Sequence, residues 1–282
     1  MAARVLIVSS FVADGSVGGR VAAFALERLG FDVTLVPTVL MPHHPGKGPL
    51  ARIVPPEAEF HALLQGAADA APPMAIFTGY FGSAGQVALT AGLIRSLRSA
   101  NPDIAYLCDP ILGDDERLYV HEDIAAAIHD RLLPLADAAT PNLFECRFLA
   151  GASEDTDLAA CAAKLPPPTI LVTSAPSLLR GRIGNFLVTA RETLLLEHRA
   201  VAEAPRGTGD LLAGLLLARR LQGRDWPEAA RLALASVCDT VLASAGSPDL
   251  MVAACQEFFV APRSPIDERR LPAARAPRSP SG

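Results

Sequence analysis

The sequence has no excess of basic residues, and this absence bears first on its partners. It contains 25 lysines and arginines against 30 aspartates and glutamates, a formal net charge of −5. Proteins that bind nucleic acid or an anionic membrane through charge usually present a strongly positive surface. The sequence also lacks an apolar run of about 18 residues, the length needed to span a bilayer. We therefore expect no nucleic-acid partner and no membrane partner.

The cysteines are few and irregularly spaced. There are five of them, an odd number, and no two form a CxxC pair. This pattern argues against a disulfide framework and against a zinc site, and it indicates a reducing compartment. The apolar run at residues 4–9 ends in two serines, so we expect it to be a buried strand and not a signal peptide. A cytoplasmic location is the prediction.

Several motifs of well-known enzyme classes are also missing. There is no Gly-x-x-x-x-Gly-Lys-Ser/Thr, so the protein is not a P-loop enzyme. No Gly-x-Ser-x-Gly elbow surrounds Ser9 or Ser10, and no His-Glu-x-x-His pattern joins the six histidines. Gly15, Gly18 and Gly19 imitate part of a dinucleotide-binding fingerprint but lack its spacing. These absences exclude the simplest hydrolase and metalloprotease interpretations.

The hydrophobic pattern alternates between strand-like and helix-like segments. Such alternation predicts a mostly parallel sheet with helices on both faces. We predict a single domain over residues 1–260 and a disordered tail over residues 261–282, where proline, serine and arginine dominate. Residues 41–49 are rich in proline and glycine, and we predict an irregular loop there.

Polar residues follow five of the predicted strands. Ligands in parallel sheets bind beyond the carboxyl ends of the strands, so these residues are expected to converge on one edge. The five strand ends are Ser9-Ser10, Gly79-Tyr80, Asp109-Pro110, Thr140-Pro141-Asn142 and Thr173-Ser174.

A glycine turn at residues 206–210 precedes a long apolar helix. Gly207 and Gly209 allow a sharp turn, and the helix behind them offers unpaired N–H groups and a positive dipole end to an anion. Two interpretations of Asp210 are open at this point. It caps the helix, as aspartate often does, or it takes the proton of a hydroxyl beside a bound phosphate.

Acidic side chains near this edge suggest a metal ion. Asp109, Asp114 and Glu145 offer the oxygen ligands that Mg²⁺ prefers. Neutral donors would lie near phosphate oxygens, and they are Thr140, Asn142, Thr173 and Ser174. Phosphoryl transfer needs a positioned nucleophile, a base and neutralised phosphate charge. Asp210 as base, an anion hole formed by residues 207–209 and Mg²⁺ would supply all three.

Taken together, these motifs resemble those of the pyridoxal kinase family, the vitamin B6 branch of the ribokinase-like superfamily. They occur in the family's order and span residues 4 to about 243. The motifs are Ser10, Thr78-Gly79-Tyr80, Cys108-Asp109-Pro110-Ile111-Leu112-Gly113, Leu118-Tyr119-Val120, Thr140-Pro141-Asn142-Leu143-Phe144-Glu145 and Gly207-Thr208-Gly209-Asp210. The Gly-Thr-Gly-Asp turn indicates only the superfamily, whereas Thr-Gly-Tyr with Cys-Asp-Pro-Ile-Leu-Gly is more specific to the B6 branch.

The resemblance implies a fold and an activity. The fold is an α/β, ribokinase-like three-layer sandwich, with a mostly parallel central sheet and helices on both faces. The activity is ATP-dependent phosphorylation of the 5′-hydroxymethyl group of pyridoxal, pyridoxine or pyridoxamine. A homodimer is also implied, because family members are commonly homodimers.

The resemblance also implies residue roles. Asp210 is the base, and Gly207, Thr208 and Gly209 form the anion hole. Ser10 and Tyr80 contact the pyridine ring. The residues implied for ATP are Asp109, Tyr119, Thr140, Asn142, Glu145, Thr173, Ser174, Gly207 and Gly209, with Tyr119 in a loop that covers the nucleotide. Asp109, Asp114 and Glu145 serve Mg²⁺, and a monovalent cation such as K⁺ lies near Asp109 and Thr140.

The departures from the family pattern are concentrated on the substrate side. The family usually has Ser-His after the first strand, where this sequence has Ser10-Phe11. It usually has Ser-Asn-His-Thr after the second strand, where this sequence has Pro42-His43-His44-Pro45. The acceptor therefore stays open. The alternatives are a hydroxymethylpyrimidine-type kinase, against which stand Asp210 and Thr-Gly-Tyr, and a non-catalytic B6-binding protein.

Overall fold

A computed structural model of the chain describes residues 3–114 and 117–272. The strands are β1 (Arg4–Asp14), β2 (Asp32–His43), β3 (Ala75–Thr78), β4 (Ala105–Cys108), β5 (Gly113–Asp114), β6 (Arg117–Leu118), β7 (Ala138–Ala139), β8 (Ile170–Ala175), β9 (Arg182–Val188), β10 (Thr193–Arg199) and β11 (Asp267–Leu271). The α-helices are α1 (Gly19–Arg28), α2 (Glu57–Ala70), α3 (Ala84–Ala100), α4 (Glu122–Ala127), α5 (Leu143–Leu149), α6 (Leu158–Ala162), α7 (Thr208–Leu221), α8 (Trp226–Ala243), α9 (Val252–Cys255) and α10 (Glu257–Val260). Short 3₁₀ turns occupy Pro45–Lys47 and Leu133–Leu135, and a π-helical turn occupies Ile128–Leu132.

Nine of the described strands form one sheet in the order β11-β10-β9-β8-β7-β4-β3-β1-β2. The six strands from β8 to β2 run parallel. The remaining three, β9, β10 and β11, extend the sheet with antiparallel pairs. The strands β5 and β6 form a separate hairpin. All the parallel strands therefore point their carboxyl ends to one edge. Gly79, Asp109 and Thr140 directly follow β3, β4 and β7 there, whereas Ser9-Ser10 and Thr173-Ser174 lie within β1 and β8.

Two apolar clusters cover the two faces of this sheet. One contains Phe60 and Leu64 of α2 and Ile94 of α3, together with Ile76 of β3. The other contains side chains of α1, α7, α8 and α10, including Phe259. The sheet is thus the middle of three layers, and the predicted α/β ribokinase-like sandwich is confirmed.

Two predicted irregular segments are ordered differently. Residues 41–43 continue β2, and Pro45–Lys47 form a 3₁₀ turn, so the prediction of an irregular loop over 41–49 is wrong there. The predicted disordered tail includes Asp267–Leu271, which pairs with β10 as strand β11. Residues 273–282 of that tail lie outside the described part of the chain. Within the residues that the structure describes, every helix is too short or too polar to cross a membrane.

Candidate active site

The glycine turn begins helix α7, as its sequence predicts. Gly207 is the N-cap residue and has a φ of 95°, a left-handed conformation that favours glycine. A Cβ atom at this position would lie 2.1 Å from the carbonyl oxygen of Ser16. The turn therefore requires glycine for both its conformation and its contact. Asp210 lies inside the first turn and is not the cap, so the capping interpretation of this residue is wrong.

A second helix begins beside this turn. Gly18 is the N-cap residue of α1 and has a φ of 66°. Helix α1 packs closely against α7, since a Cβ on Gly214 of α7 would lie only 2.9 Å from the Cα of Ala22 of α1. The close approach of Gly207 to the Ser16 backbone places the two helix starts together. Both helix starts leave N–H groups without intrahelical partners and carry positive partial charge. Together they form a pocket of positive potential suited to an anion.

The carboxylate of Asp210 lies between these helix starts. Its Oδ1 atom is buried and has no hydrogen-bond partner. Burial raises the pKa of Asp210 to about 6, and hydrogen bonding to the Gly18 backbone N–H and to its own N–H opposes that rise. A carboxylate with an unused oxygen and a pKa near neutrality has the properties of a general base. Sequence reasoning missed Gly18, although the Gly18-Gly19 pair before a helix was the available signal.

Asp109 is a second buried acid of this site. Its side chain is 5% exposed, and its Oδ1 accepts a hydrogen bond of 2.8 Å from the Thr140 hydroxyl. Burial raises the pKa of Asp109 well above its ordinary value, and the negative charges of Asp210 and then Glu145 raise it further. The structure thus brings Asp109, Thr140 and Asp210 into one electrostatic group. Bringing a cation to this group would relieve the mutual repulsion of its carboxylates.

Glu145 is used differently from its predicted metal role. It forms a capping box with Asn142, in which Glu145 Oε2 accepts from the Asn142 N–H at 2.8 Å. Its Oε1 accepts from the backbone N–H groups of Leu112 at 2.8 Å and Gly113 at 3.3 Å. Burial raises the pKa of Glu145 to about 7, and these backbone hydrogen bonds oppose the rise. The described geometry makes Glu145 the anchor of the segment 112–113.

Asp114 is also engaged elsewhere. Its Oδ2 atom pairs with Arg206 Nη1 at 3.0 Å. Over residues 3–114 and 117–272, no three acidic, histidine or cysteine side chains are grouped closely enough to hold a metal ion. The three-carboxylate metal set predicted from the sequence, with Asp109, Asp114 and Glu145, is therefore not assembled. Among these acids, Asp109 is the one coupled most directly to Asp210.

A cleft of about 940 Å³ opens beside the glycine turn. Its lining includes seven residues predicted from the sequence: Asp114, Asn142, Thr173, Ser174, Gly207, Thr208 and Gly209. Apolar side chains complete it, among them Phe144, Phe148 and Leu212. A cavity with apolar walls and a few polar groups at one end is typical of a small-molecule site.

Thr173 and Ser174 reach this cleft because the sheet is interrupted there. The pairing of β8 with β9 shifts between Val172 and Ala175, so the two residues leave the ladder. Ser174 has a φ of 53°, an uncommon conformation for a residue other than glycine. Bulges of this kind redirect side chains next to functional sites. The two hydroxyls are thus available to a ligand, in agreement with their predicted place.

Two other predicted nucleotide residues are placed less directly. The Asn142 side chain lines the cleft, but it accepts from the Glu145 N–H at 2.9 Å and donates to the Gly113 carbonyl at 2.7 Å. It therefore supports the cleft wall. Tyr119 follows the β5–β6 hairpin and is 47% exposed, and its backbone N–H donates to the Leu112 carbonyl. The covering role predicted for Tyr119 stays a prediction.

The residues predicted for the acceptor lie on neighbouring strands. Tyr80 follows β3, but Ser10 lies inside β1, which continues to Asp14 past a shift in its pairing between Ser9 and Phe11, so the prediction that the strand ends at Ser9 is wrong. Ser10 is buried and lies against Gly18, since a Cβ on Gly18 would be 2.6 Å from the Ser10 Oγ. Gly18 is the residue whose backbone N–H is hydrogen-bonded to Asp210. Tyr80 is half-buried, and its hydroxyl accepts from Arg52 at 2.9 Å. Its backbone N–H is hydrogen-bonded to Ser9 Oγ and not to Ser10. Ser10 therefore adjoins Gly18, and Tyr80 adjoins Ser9.

An ion-pair cluster holds the segment that departs from the family pattern. Lys47 Nζ lies 2.6 Å from Asp249 Oδ2 and 3.1 Å from Asp14 Oδ2. Asp249 also pairs through its backbone with Arg206, next to the glycine turn. No local sequence pattern predicts these contacts, because the three side chains come from distant positions. The segment around Lys47 is thus tied to both β1 and the turn.

Comparisons with known proteins agree with this geometry. The sequence profile of the phosphomethylpyrimidine kinase family matches residues 34–250. A pyridoxal kinase of Rubrobacter xylanophilus is 32% identical over 282 aligned residues, which cover 95% of this chain and 97% of that protein. This chain belongs to the phosphomethylpyrimidine kinase family, in its pyridoxal kinase branch. The resemblance predicted from the motifs is thereby confirmed.

Further relatives extend this assignment. A pyridoxine/pyridoxal/pyridoxamine kinase of Bordetella avium is 37% identical over 232 residues and covers 78% of each chain. The pyridoxal kinase of Leishmania donovani in complex with ADP and pyridoxamine has a TM-score of 0.85 at 26% identity, and covers 95% of this chain and 99% of that one. The predicted enzyme class, a kinase, is confirmed by these relatives.

Proposed function

We propose that this protein transfers the γ-phosphoryl group of ATP to the 5′-hydroxymethyl oxygen of pyridoxal, and also of pyridoxine and pyridoxamine. A bond forms between that oxygen and the γ-phosphorus, and the bond from the γ-phosphorus to the bridging oxygen of ADP breaks. The hydroxyl proton passes to Asp210. The observation that carries this proposal is the buried, unpaired Oδ1 of Asp210 between two helix N-termini.

The donor side has a site that fits ATP. Gly207, Thr208 and Gly209 line the cleft, and their amides would stabilise the charge that develops on a transferred phosphoryl group. Thr173 and Ser174 face the same cleft. The related kinase of Leishmania donovani is described with ADP, which supports a nucleotide here. We therefore assign the cleft to ATP, with Asn142 shaping its wall and Tyr119 in the covering segment.

Magnesium and a monovalent cation belong to the proposal as well. Mg²⁺ in kinase sites is held by one or two carboxylates together with substrate phosphates. Asp109 fits this role, because burial and then the negative charges of Asp210 and Glu145 raise its pKa, and a bound cation would offset both effects. Mg²⁺ bound there would neutralise phosphate charge. Asp114 and Glu145 are committed to Arg206 and to backbone amides, so direct ligation by them is not part of this proposal. The prediction of K⁺ near Asp109 and Thr140 is retained.

The acceptor side is proposed to hold the pyridine ring between Ser10 and Tyr80. The proposal includes a cytoplasmic homodimer, and the five cysteines, which are buried and free, are compatible with a reducing compartment. Sedimentation or light scattering tests the dimer. Titration of K⁺ against Na⁺ in the activity assay tests the monovalent cation.

The decisive experiment is ADP release measured with four acceptors: pyridoxal, pyridoxine, pyridoxamine and hydroxymethylpyrimidine. We expect turnover with the three B6 vitamers, Mg²⁺ dependence and strong loss in Asp210→Asn. Turnover of the pyrimidine alone would favour the pyrimidine kinase instead, an outcome that the family profile and the altered segment 42–47 make worth including. Binding of pyridoxal without any ADP release would favour a non-catalytic B6-binding protein.

A further inference from the structure

Arg206 occupies the position directly before the anion-binding turn. Its backbone is fixed, because it pairs with Asp249 and is followed by the constrained Gly207. Its side chain is 62% exposed and lines the same cleft as Thr173 and Ser174. A guanidinium at this place lies beside the donors that are assigned to phosphate.

The present partner of Arg206 comes from across the cleft. Asp114 lies 92 positions away in sequence, on strand β5, and also lines the cleft. Gly113, its neighbour, is held by Glu145 and Asn142, so the backbone that carries Asp114 is fixed. The Arg206–Asp114 pair thus joins two segments of the cleft lining through two partly exposed side chains.

The electrostatic surroundings of Arg206 are mixed. Lys47 and His44 face this region from the segment 42–47. The carboxylates of Asp249 and Asp114 face it with negative charge. Burial lowers the pKa of His44, and the positive charges of Arg206 and Lys47 lower it further. Exposed ion pairs such as Arg206–Asp114 contribute little to stability. A phosphate group offers the same guanidinium a stronger, bidentate partner of higher charge.

We propose that Arg206 is a phosphate-binding residue of the donor site, and that it exchanges its ion pair with Asp114 for the terminal phosphate of ATP. This inference rests on the proposed use of ATP. Phosphate binding by Arg206 and a purely structural role for this residue predict different nucleotide affinities. A residue that only supports the turn would affect all nucleotides alike, whereas a γ-phosphate ligand distinguishes ATP from ADP and AMP.

The first experiment measures the dissociation constants of three nucleotides by calorimetry: an ATP analogue with a β–γ imido bridge, ADP and AMP. For Arg206→Met we expect about ten- to hundredfold weaker binding of the ATP analogue, the range for a lost hydrogen bond to a charged group. ADP binding should change only a few-fold, and AMP binding should not change. Arg206→Lys should recover part of the loss, because it keeps the charge but not the bidentate geometry.

The matched control is Arg95→Met on α3. Arg95 is exposed and lies outside the cleft, so this variant removes one positive charge without touching the site. It should bind all three nucleotides as the wild type does. Equal weakening in both variants would assign the effect to net charge and overturn the inference.

The second experiment tests the exchange itself. Asp114→Asn removes the competing partner, so the ATP analogue should bind as tightly as before or up to about fivefold more tightly, the range of an exposed ion pair. That gain should vanish in the Arg206→Met background. Weaker binding in Asp114→Asn would instead support the metal role predicted from the sequence and would overturn the exchange.

The outcomes separate this inference from the proposed function. A wild-type protein that binds the ATP analogue, with unchanged affinity in Arg206→Met, would overturn the role of Arg206 alone. A wild type that binds none of the three nucleotides would overturn the ATP donor and this inference with it. Equal loss for the ATP analogue, ADP and AMP in Arg206→Met would show that the residue only supports the turn.

Discussion

The phosphate side and the acceptor side of this site are built in different ways. On the phosphate side, backbone amides of two helix starts and a glycine turn define the geometry, and Asp109 and the Oδ1 atom of Asp210 are buried. On the acceptor side, the segment around Lys47 is held by ion pairs of partly or largely exposed side chains. Backbone geometry tolerates little change, whereas side-chain pairs can be replaced. This difference explains why the chain keeps the family's phosphate motifs while its 42–47 segment departs from them.

The strongest test of the phosphate side is Asp210→Asn. Removing a general base costs about 10²- to 10⁴-fold in rate, and we expect a loss of kcat in that range, with the KM for ATP nearly unchanged. Steady-state kinetics with pyridoxal measure it. Wild-type activity in this variant would remove Asp210 as the base.

The same variant should be more stable than the wild type. Burial raises the pKa of Asp210 in the folded protein to about 6, above the ordinary value of an aspartate, so the ionised carboxylate destabilises the fold above pH 6. A rise of this size corresponds to at most about 3 kcal/mol. This cost is present at pH 7 to 8 and disappears as the pH falls from 6 towards 4. Thermal unfolding at pH 8 and pH 4.5 measures it, and a less stable variant at pH 8 would show that activity was lost through unfolding.

A second large effect is expected for Gly207→Ala. The added Cβ would lie 2.1 Å from the Ser16 carbonyl oxygen, on a backbone with positive φ. Displacement of the turn should lower kcat by about 10²-fold, comparable to the loss of one anion-hole donor. Gly209→Ala should lose much less, because its Cβ would meet nothing within 4 Å.

Gly30→Ala is a control that separates the backbone strain of a positive φ from the contact that a Cβ on Gly207 would make with Ser16. Gly30 has a φ of +94° but open space around its Cβ, and it lies at the far end of α1. The variant should lose some stability through backbone strain and keep its activity. If Gly207→Ala behaves like Gly30→Ala, the contact with Ser16 has no part in the site.

The pH profile is the third test. Asp210 must be ionised to accept a proton, and its pKa is about 6, so kcat/KM should fall about tenfold per pH unit below that value. Glu145, whose burial raises its pKa to about 7, is the other group that titrates nearby. In Glu145→Gln, kcat/KM should still begin to fall near pH 6. If kcat/KM no longer falls there in this variant, the pH dependence belongs to Glu145.

Several features of the site were predictable from the sequence because they depend on local rules. The polar strand ends, the glycine turn and the Thr173-Ser174 pair all follow from strand and turn chemistry. The capping box was visible too, since Asn142 and Glu145 have its spacing. That local rule also accounts for Glu145, so its metal role stays a prediction. The pairs of Arg206 with Asp114 and of Lys47 with Asp249 depend on tertiary structure alone.

The two misjudged segments fail for one physical reason: both are edge strands. Edge strands accept proline and charged residues, which central strands exclude. Pro37 and Pro42 lie in β2, and charged side chains occupy Asp267–Arg270 in β11, at opposite edges of the sheet. Their composition resembles that of loops and disordered tails. The continuous apolar run typical of an interior parallel strand is absent from β11, and in β2 it ends at Pro42.

The smallest effect is expected on the acceptor side, for Lys47→Met. Loss of the contacts to Asp14 and Asp249 should loosen the segment, and we expect the KM for pyridoxal to rise only a few-fold, because these pairs are partly exposed. The KM for ATP should stay unchanged, since Lys47 does not line the nucleotide cleft. Raised ionic strength should reduce the difference between the variant and the wild type. A large loss of kcat in this variant would contradict the contrast between the phosphate side and the acceptor side. It would mean that the ion pairs of Lys47 also position the glycine turn through Asp249.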